Sequence, residues 1–387
     1  MSSGHAGALR RRVLLSGTML AAATVGYGRR AYGQCVPTVA PNYQCSGANV
    51  TGQSINANNA SVSTVAGFSV NTAAGNAITI TGDGALSYTD TDASPLTAAA
   101  GTALHVRSIT DYGATPGSVT IATNGALSGY RGIDARNYGA GAVTITANSD
   151  VTGTFDYGIF ARNLNSGTAL SVTTGAGTTV SGDRGGIYAR NFGTGALTVT
   201  ANGNVTSTTG YGIFARKDFG TDLTVTTAAS TTVSGRIGIY TRNEGIGALT
   251  ITANGNVTGT NGPGMFARNS VNGTDLTVTT GAGTTVSGGS NGVSAYNYGT
   301  GALTVTANGD VTGTGGRGIY ALSFAPGTGV SVTTAAGTTV SGSNRGINAR
   351  NLGTGALTVT ANGDVTATGR VVAAFTHRIR PRVPRSA

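Results

Sequence analysis

The chain has 387 residues, of which 64 are glycine, 10% are charged, two are cysteine and none is tryptophan. Its formal charge of +10 invites a nucleic-acid reading, but five arginines fall in 1–33 and five in 370–387, neither stretch with an acid, so 14 of the 24 basic residues remain against 14 acidic ones. A neutral central stretch with no recognition motif argues against a nucleic-acid partner, and the scarcity of Glu, Lys, Gln and Met argues against helices.

Residues 1–33 read as an export signal. Arg10, Arg11 and Arg12 form a positive start, Val13 to Val25 a short apolar run, and Ala31-Tyr32-Gly33 a small-x-small pattern suited to cleavage before Gln34. The run is too short to anchor in a bilayer, so no transmembrane segment is expected in the mature chain. Arg11-Arg12-Val13-Leu14-Leu15 has a weak likeness to a twin-arginine signal; the ordinary secretory reading stands ahead of it. Cys35 and Cys45 follow the cut, and an even pair in an exported chain predicts a disulfide. So short a loop adds roughly 2–3 kcal/mol and pins the open end of the first coil. A metal site needs further ligands, and no metal or cofactor is expected.

Residues 34–130 read as a cap with degenerate copies of a later repeat. Ala77 to Thr81 and Val119 to Ala122 echo its L-T-V-T run, and Leu104-His105-Val106-Arg107 echoes its I-Y-A-R run. Asp90 to Ala100 reads as a loop insertion. Atypical terminal repeats are expected at a solenoid end.

Residues 131–369 are the regular array. Its clearest copy runs from Gly186 to Gly210, and the opening glycine recurs at Gly132, Gly158, Gly186, Gly212, Gly238, Gly264, Gly292, Gly318 and Gly346, in steps of 26 or 28 residues. Self-similarity at such a period marks a solenoid. Apolar residues alternate, as in Ile187 and Ala189 or Leu197, Val199 and Ala201, and Val205 anchors a third run. Period two with β-branched residues predicts strands. Three short strands per unit predict an all-β chain folded as a parallel β-helix of about 11–12 coils, 26–28 residues each. Coils stacked about 4.8 Å apart make a rod roughly 55 Å long. A propeller blade needs 40 residues or more. Two unit types alternate, one with A-N-G-D-V-T-G-T (Ala307 to Thr314) and one with T-T-x-A-x-T-T-V-S-G (Thr279 to Gly288), giving a two-coil cassette of 52–54 residues.

Stacked coils turn repeat positions into outer ladders. The first is Arg136, Arg162, Arg190, Arg216, Arg242 and Arg268, broken at Tyr296 and Leu322 and resuming at Arg350. Two residues earlier stand Phe160, Tyr188, Phe214, Tyr240, Phe266 and Tyr320. Interleaved rings and guanidinium groups offer cation–π pairs and a stripe that could hold a glycan or a partner protein; equally, they could only cover a self-packing face. The second is Asn137, Asn163, Asn191, Asn243, Asn269, Asn297 and Asn351, read as structural and also placed outside. The third is the Thr-x-Thr pairs, such as Thr198 and Thr200. Outward Thr pairs resemble the ice-binding faces of some antifreeze proteins, although Thr is also the natural polar strand residue.

Catalysis has little to stand on. The acids are scattered, mostly at turns such as Asp150, Asp310 and Asp364, and His5, His105 and His377 are dispersed. A glycosidase needs two carboxylates roughly 5–9.5 Å apart. No catalytic motif is present, so no catalytic residue is assigned. In 370–387 the repeat breaks into a basic, Pro-containing tail, read as disordered or as the product of a shifted frame or early stop.

The export signal, the early Cys pair and the Gly/Thr/Asn-rich array with G-[IV]-x-A-R-N and L-T-V-T-A-N-G-D-V-T-G-T make residues 1–369 similar to autotransporter passenger domains of Gram-negative bacteria. The resemblance implies a right-handed β-helix displayed at the cell surface, often as an adhesin, ahead of a C-terminal translocator barrel. Nothing after Gly369 has the alternating membrane strands of such a barrel. The expectation is an exported, non-enzymatic rod with adhesive or structural work at the surface, outside the cell or in the periplasm. Its ligand would be a glycan, a protein or another copy of itself. A truncated gene fragment, a polysaccharide-active β-helix and an ice-binding protein stay open.

Overall fold

The computed structural model describes residues 34–109, 117–164, 167–324 and 328–369 and the strand Phe375–Ile379. The chain divides at 32/33, and only the unit Gly33–Ala387 holds described residues; the export signal read in 1–33 lies outside them. The described residues contain no helix. Strands follow one another in threes, as Leu197–Ala201, Asn204–Ser207 and Tyr211–Lys217, and each pairs with its equivalents one coil before and after. Three sheets result, of 14, 13 and 13 strands, here sheets A, B and C in the order the chain visits them. This is a parallel β-solenoid of about 12 turns, as the period-two runs imply.

Pairing is in register whether the coil is 26 or 28 residues long. Ile159 pairs with Ile187 across a 28-residue step, and Ile187 with Ile213 across a 26-residue step. The two extra residues therefore fall in the corners. Inward positions then form columns, such as Leu197, Leu223, Leu249, Leu276 and Leu303 in sheet A, all buried. Each such side chain contributes roughly 1.5–3 kcal/mol of apolar burial. The opening glycine has a steric cause. A Cβ on Gly186, Gly238 or Gly292 would collide with the Cγ1 of Val205, Val257 or Val311 from sheet B.

The two-coil cassette also has a cause. At the corner from sheet A to sheet B, Thr174, Thr280 and Thr334 are in register with Ala201, Ala307 and Ala361 of the next coil. The Thr280 hydroxyl accepts the N–H groups of Asn308 and Gly309 at 3.0 and 3.1 Å, and Thr174 and Thr334 do the same for Asn202/Gly203 and Asn362/Gly363. A Thr coil thus satisfies the turn of the Ala coil above it, so the types alternate.

Two readings are corrected. Asp90 to Ala100 is no insertion: it holds the sheet B strand Leu96–Ala98, paired with its neighbours on both sides. Asp90 stands in the corner-threonine column, its Oδ2 accepting Asn124 and Gly125 N–H at 3.1 and 2.7 Å. Burial pushes its carboxyl up, but backbone N–H groups of Ser94, Gly125 and Asn124 and the Thr64 hydroxyl outweigh that and hold it low. The asparagine ladder is inside the solenoid, not outside. Asn137, Asn163, Asn191, Asn243, Asn269, Asn297 and Asn351 are all fully buried. Each ends its sheet C strand and ties down the loop that follows: the Asn243 Nδ2 donates to Gly247 O at 2.8 Å and to Asn269 Oδ1 at 2.9 Å, while its Oδ1 accepts Gly245 N–H. Sheet C also takes in Phe375–Ile379, parallel to Arg345–Asn351.

The N-terminal end closes with an antiparallel pair, Cys35–Val39 against Asn42–Cys45, joined by the expected disulfide between Cys35 and Cys45, which face each other in register.

Lys217 interrupts the asparagine column. It is fully buried between Asn191 and Asn243, and its Nζ donates to Gly193 O at 2.6 Å. Gly220, at φ +85°, makes room, since a Cβ there would stand 2.8 Å from the amine. Burial pushes the amine down to about 8, against the pull of Asp218. Between about 8 and its ordinary 10.5 the unfolded chain keeps a proton that the folded chain has released, so stability rises with pH through that window. Lys217→Asn, which restores the column, should raise stability at pH 7 by about 1–3 kcal/mol and abolish that extra rise. Urea unfolding of both proteins at pH 7 and 10 reads it. A variant less stable at pH 7, or one with the same pH response, refutes this account.

Candidate functional site

The three sheets present different outer faces. Outward positions of sheet A are almost all Thr and Ser, as Thr198 and Thr200 in Leu197–Ala201, and those of sheet B are small and polar, as Thr232 and Ser234 in Thr232–Gly235 or Asp310 and Thr312 in Asp310–Gly313. Sheet C carries the large side chains. Its register aligns Phe160, Tyr188, Phe214, Tyr240 and Phe266 in one column, followed by Ser294 and Tyr320. A second column runs Arg107, Arg136, Arg162, Arg190, Arg216, Arg242 and Arg268, then Tyr296, Leu322 and Arg350. Both ladders are therefore continuous features of one face.

The rings stack on one another. Centroids from Phe160 through Tyr188, Phe214 and Tyr240 to Phe266 are 4.7–5.2 Å apart, with planes within 8° of parallel. The strand spacing sets that distance, so the column is a ring stack by construction. Tyr157 and Tyr211 lie tilted against it, 5.5 Å from Phe160 and 5.4 Å from Phe214. Gly185 makes this possible for Tyr157, whose ring would stand 2.7 Å from a Cβ there. Ring faces are thus largely occupied by other rings. Edges, tyrosine hydroxyls and guanidinium groups are what the stack turns outward.

The arginines divide by partner. Arg190 and Arg216 share Asp218, at 2.8 and 2.7 Å, and Arg242 pairs with Glu244. The Asp218 hydrogen bond holds the Arg190 guanidinium above its usual range despite burial. Arg162 and Arg268 form no ion pair among the described residues; they lie over Phe192 and Tyr298, 5.2 and 4.9 Å from the centroids. The expected cation–π pairs therefore exist, but mainly with loop rings that follow the asparagine column. Within the ladder itself the pair is Arg136 over Phe160, at 5.0 Å.

The acids are less scattered than the sequence implies. Asp134 occupies the ring column one coil before Phe160, and Asp156 lies just ahead of Tyr157. Arg131 bridges them, with Nη1 2.7 Å from Asp134 and Nη2 2.6 Å from Asp156. Arg136 reaches Asp134 at 2.8 Å, His105 approaches it at 3.6 Å, and Arg184 stands 3.9 Å from Asp156. Both carboxylates are at most 2% exposed. Burial pushes the Asp134 carboxyl up, but hydrogen bonds from His105 and Arg136 and the Arg136 charge outweigh it and hold it well below the usual carboxylate range. A carboxylate held ionised offers no proton to a leaving group, so chemically this network neutralises charge. A signal was available: an acid in the ring column at Asp134, with Arg131 and Arg136 on either side.

Removing the bridging guanidinium leaves the buried Asp156 with only Arg184 among the described residues, at 3.9 Å, while Asp134 keeps Arg136. Arg131→Met should destabilise by about 3 kcal/mol, and Arg162→Met, which strands no carboxylate, by under about 1 kcal/mol. Thermal or urea unfolding of the two variants decides; equal effects would show that Arg131 acts through packing alone.

Comparison with known proteins adds no name to this face: no family model, no curated protein and no solved structure matches the chain.

Proposed function

We propose that this protein is an exported, non-enzymatic β-helical surface rod of the autotransporter-passenger type, with adhesive work done by the sheet C face. The observation that carries the reading is the difference between the three outer faces. All three satisfy the same strand geometry, and small polar residues suffice on two of them. Large rings and guanidinium groups on the third are not required to close the core, whose columns are inward. Half-exposed aromatic and Arg residues are the types enriched where proteins bind partners. The early disulfide suits an oxidising compartment.

The test is binding by the full chain, probed on panels of glycans and surface proteins. The ligand is expected to be lost at least tenfold by Arg162→Ala with Arg268→Ala, which disturb no ion pair among the described residues, and to be unaffected by Thr198→Ala with Thr250→Ala on sheet A. Equal sensitivity to both pairs, or to neither, refutes a sheet C docking face.

One observation favours a second reading. The outward Thr pairs of sheet A stay in register through Thr198/Thr200, Thr224/Thr226, Thr250/Thr252, Thr277/Thr279 and Thr304/Thr306. If ice is the ligand, the chain depresses the freezing point below the melting point, and Thr250→Lys abolishes the gap. No gap at millimolar protein eliminates ice.

A further inference from the structure

Charge is not spread evenly along the sheet C face. Up to Glu244, Arg131, Arg136, Arg190, Arg216 and Arg242 each meet a carboxylate, while Arg107, Arg162 and Arg236 lie over rings and form no ion pair among the described residues. Beyond it, Arg268, Arg317, Arg345 and Arg350 all lack an ion pair among the described residues; the Nε of each is buried without a hydrogen-bond partner, as are those of Arg162 and Arg216. Arg317 and Arg345 are register partners in adjacent coils, one strand spacing, about 4.8 Å, apart along the face. Arg350 shares the strand Arg345–Asn351.

The acids that could answer them are elsewhere. After Glu244 the sequence has only Asp275, Asp310 and Asp364. Asp310 and Asp364 open sheet B strands. Asp275 precedes a sheet A strand, its Oδ1 accepting the Ala302 N–H at 2.7 Å. The remaining neighbours in the ring column, Tyr320 and Asn348, are neutral.

We propose that this end of the sheet C face binds an acidic polysaccharide, a chain carrying carboxylate or sulfate groups at regular intervals. This deepens the docking reading above and rests on it. Guanidinium groups match such oxyanions in paired hydrogen bonds. Like charges repeated at coil spacing repel each other until a polyanion runs along them. A single-stranded nucleic acid fits less well, because it needs open ring faces for its bases. Here the Tyr320 ring carries Arg317 at 4.3 Å, and the Tyr298 ring carries Phe324 at 4.4 Å and Arg268 at 4.9 Å.

The experiment immobilises the full chain and titrates it with dextran sulfate, polygalacturonate, uncharged dextran and an oligothymidylate of matched charge. One or both acidic polysaccharides should bind, more weakly as salt rises, while uncharged dextran does not and the oligothymidylate binds at least tenfold more weakly. Arg317→Gln, Arg345→Gln and Arg350→Gln together should weaken the polysaccharide at least tenfold. The five arginines of 370–387 include none of the three and stay in place in every variant, so a loss reads the face alone. Arg184→Gln, which lies outside the arginine ladder and leaves Asp156 paired with Arg131, serves as the folded control and should change binding less than twofold. No binding of either acidic polysaccharide, equal binding of the oligothymidylate, or a triple variant that binds as before overturns the inference. A panel ligand lost with Arg162 and Arg268 while both acidic polysaccharides stay silent also overturns it, yet leaves the docking face standing.

Discussion

Parallel backbone pairing between coils is the constraint on which everything else depends. Each strand must meet its equivalent in register, so a repeat position becomes a column running through the coils. A residue is then judged by its neighbours one coil away as much as by its neighbours in sequence. That is why the 26- and 28-residue coils coexist: strands hold register and corners absorb the difference. It is why a glycine is needed opposite each sheet B valine. It is also why threonine and alanine alternate at one corner, since one hydroxyl can serve the turn above it and the next coil need not repeat the service.

This logic decides how much could be read from the sequence. Ile187, Ala189, Leu197 and Val199 announce strands, and the glycine steps announce the stack. The two outer ladders follow from the same register, and the disulfide from an even cysteine pair. Polarity alone places the asparagine column outside, but parity places it inside. Asn191 stands two residues after Ala189 and four after Ile187, on the inward side of the same strand. Parity wins because the loop carbonyls beyond the strand offer the amide partners it would lose in an apolar core: Asn191 Nδ2 donates to Thr168 O and Ala196 O, both at 3.0 Å. Asp90, as an acid, has the look of a surface loop residue for a related reason, whereas it replaces a corner threonine. The meeting of Asp134 and Asp156 on Arg131 joins residues from adjacent coils through a side chain, and no repeat statistic carries that.

The ring column illustrates how the same constraint limits function. Rings placed once per coil are brought to stacking distance by the backbone, with centroids 4.7 Å apart for Tyr188 and Phe214. They stiffen the face and occupy each other's planes, so an exposed aromatic ladder is not by itself a platform for flat ligands. What the column leaves available is polar and edge-on, and specificity passes to the guanidinium groups beside it. Whether an arginine is available depends on a carboxylate being one coil away or one residue past the asparagine column. Asp218 and Glu244 fill that place in two coils; Phe192, Ser270 and Tyr298 fill it in others.

The coil at Lys217 and Asp218 shows that departures from the repeat come in compensated pairs. Lys217 puts a cation into a column of neutral amides, and Asp218, the next residue, faces the other way. One carboxylate then answers Lys217 across the strand and Arg190 and Arg216 along the face. Gly220 completes the change by clearing space for the amine. A lone Asn→Lys exchange elsewhere in the column would bury a charge with no such answer. Within a solenoid, then, a functional irregularity is tolerated where the coil itself, or the coil next to it, supplies the missing partner. Tolerance of that kind lets one face of an otherwise repetitive rod diverge while the other two keep small polar residues.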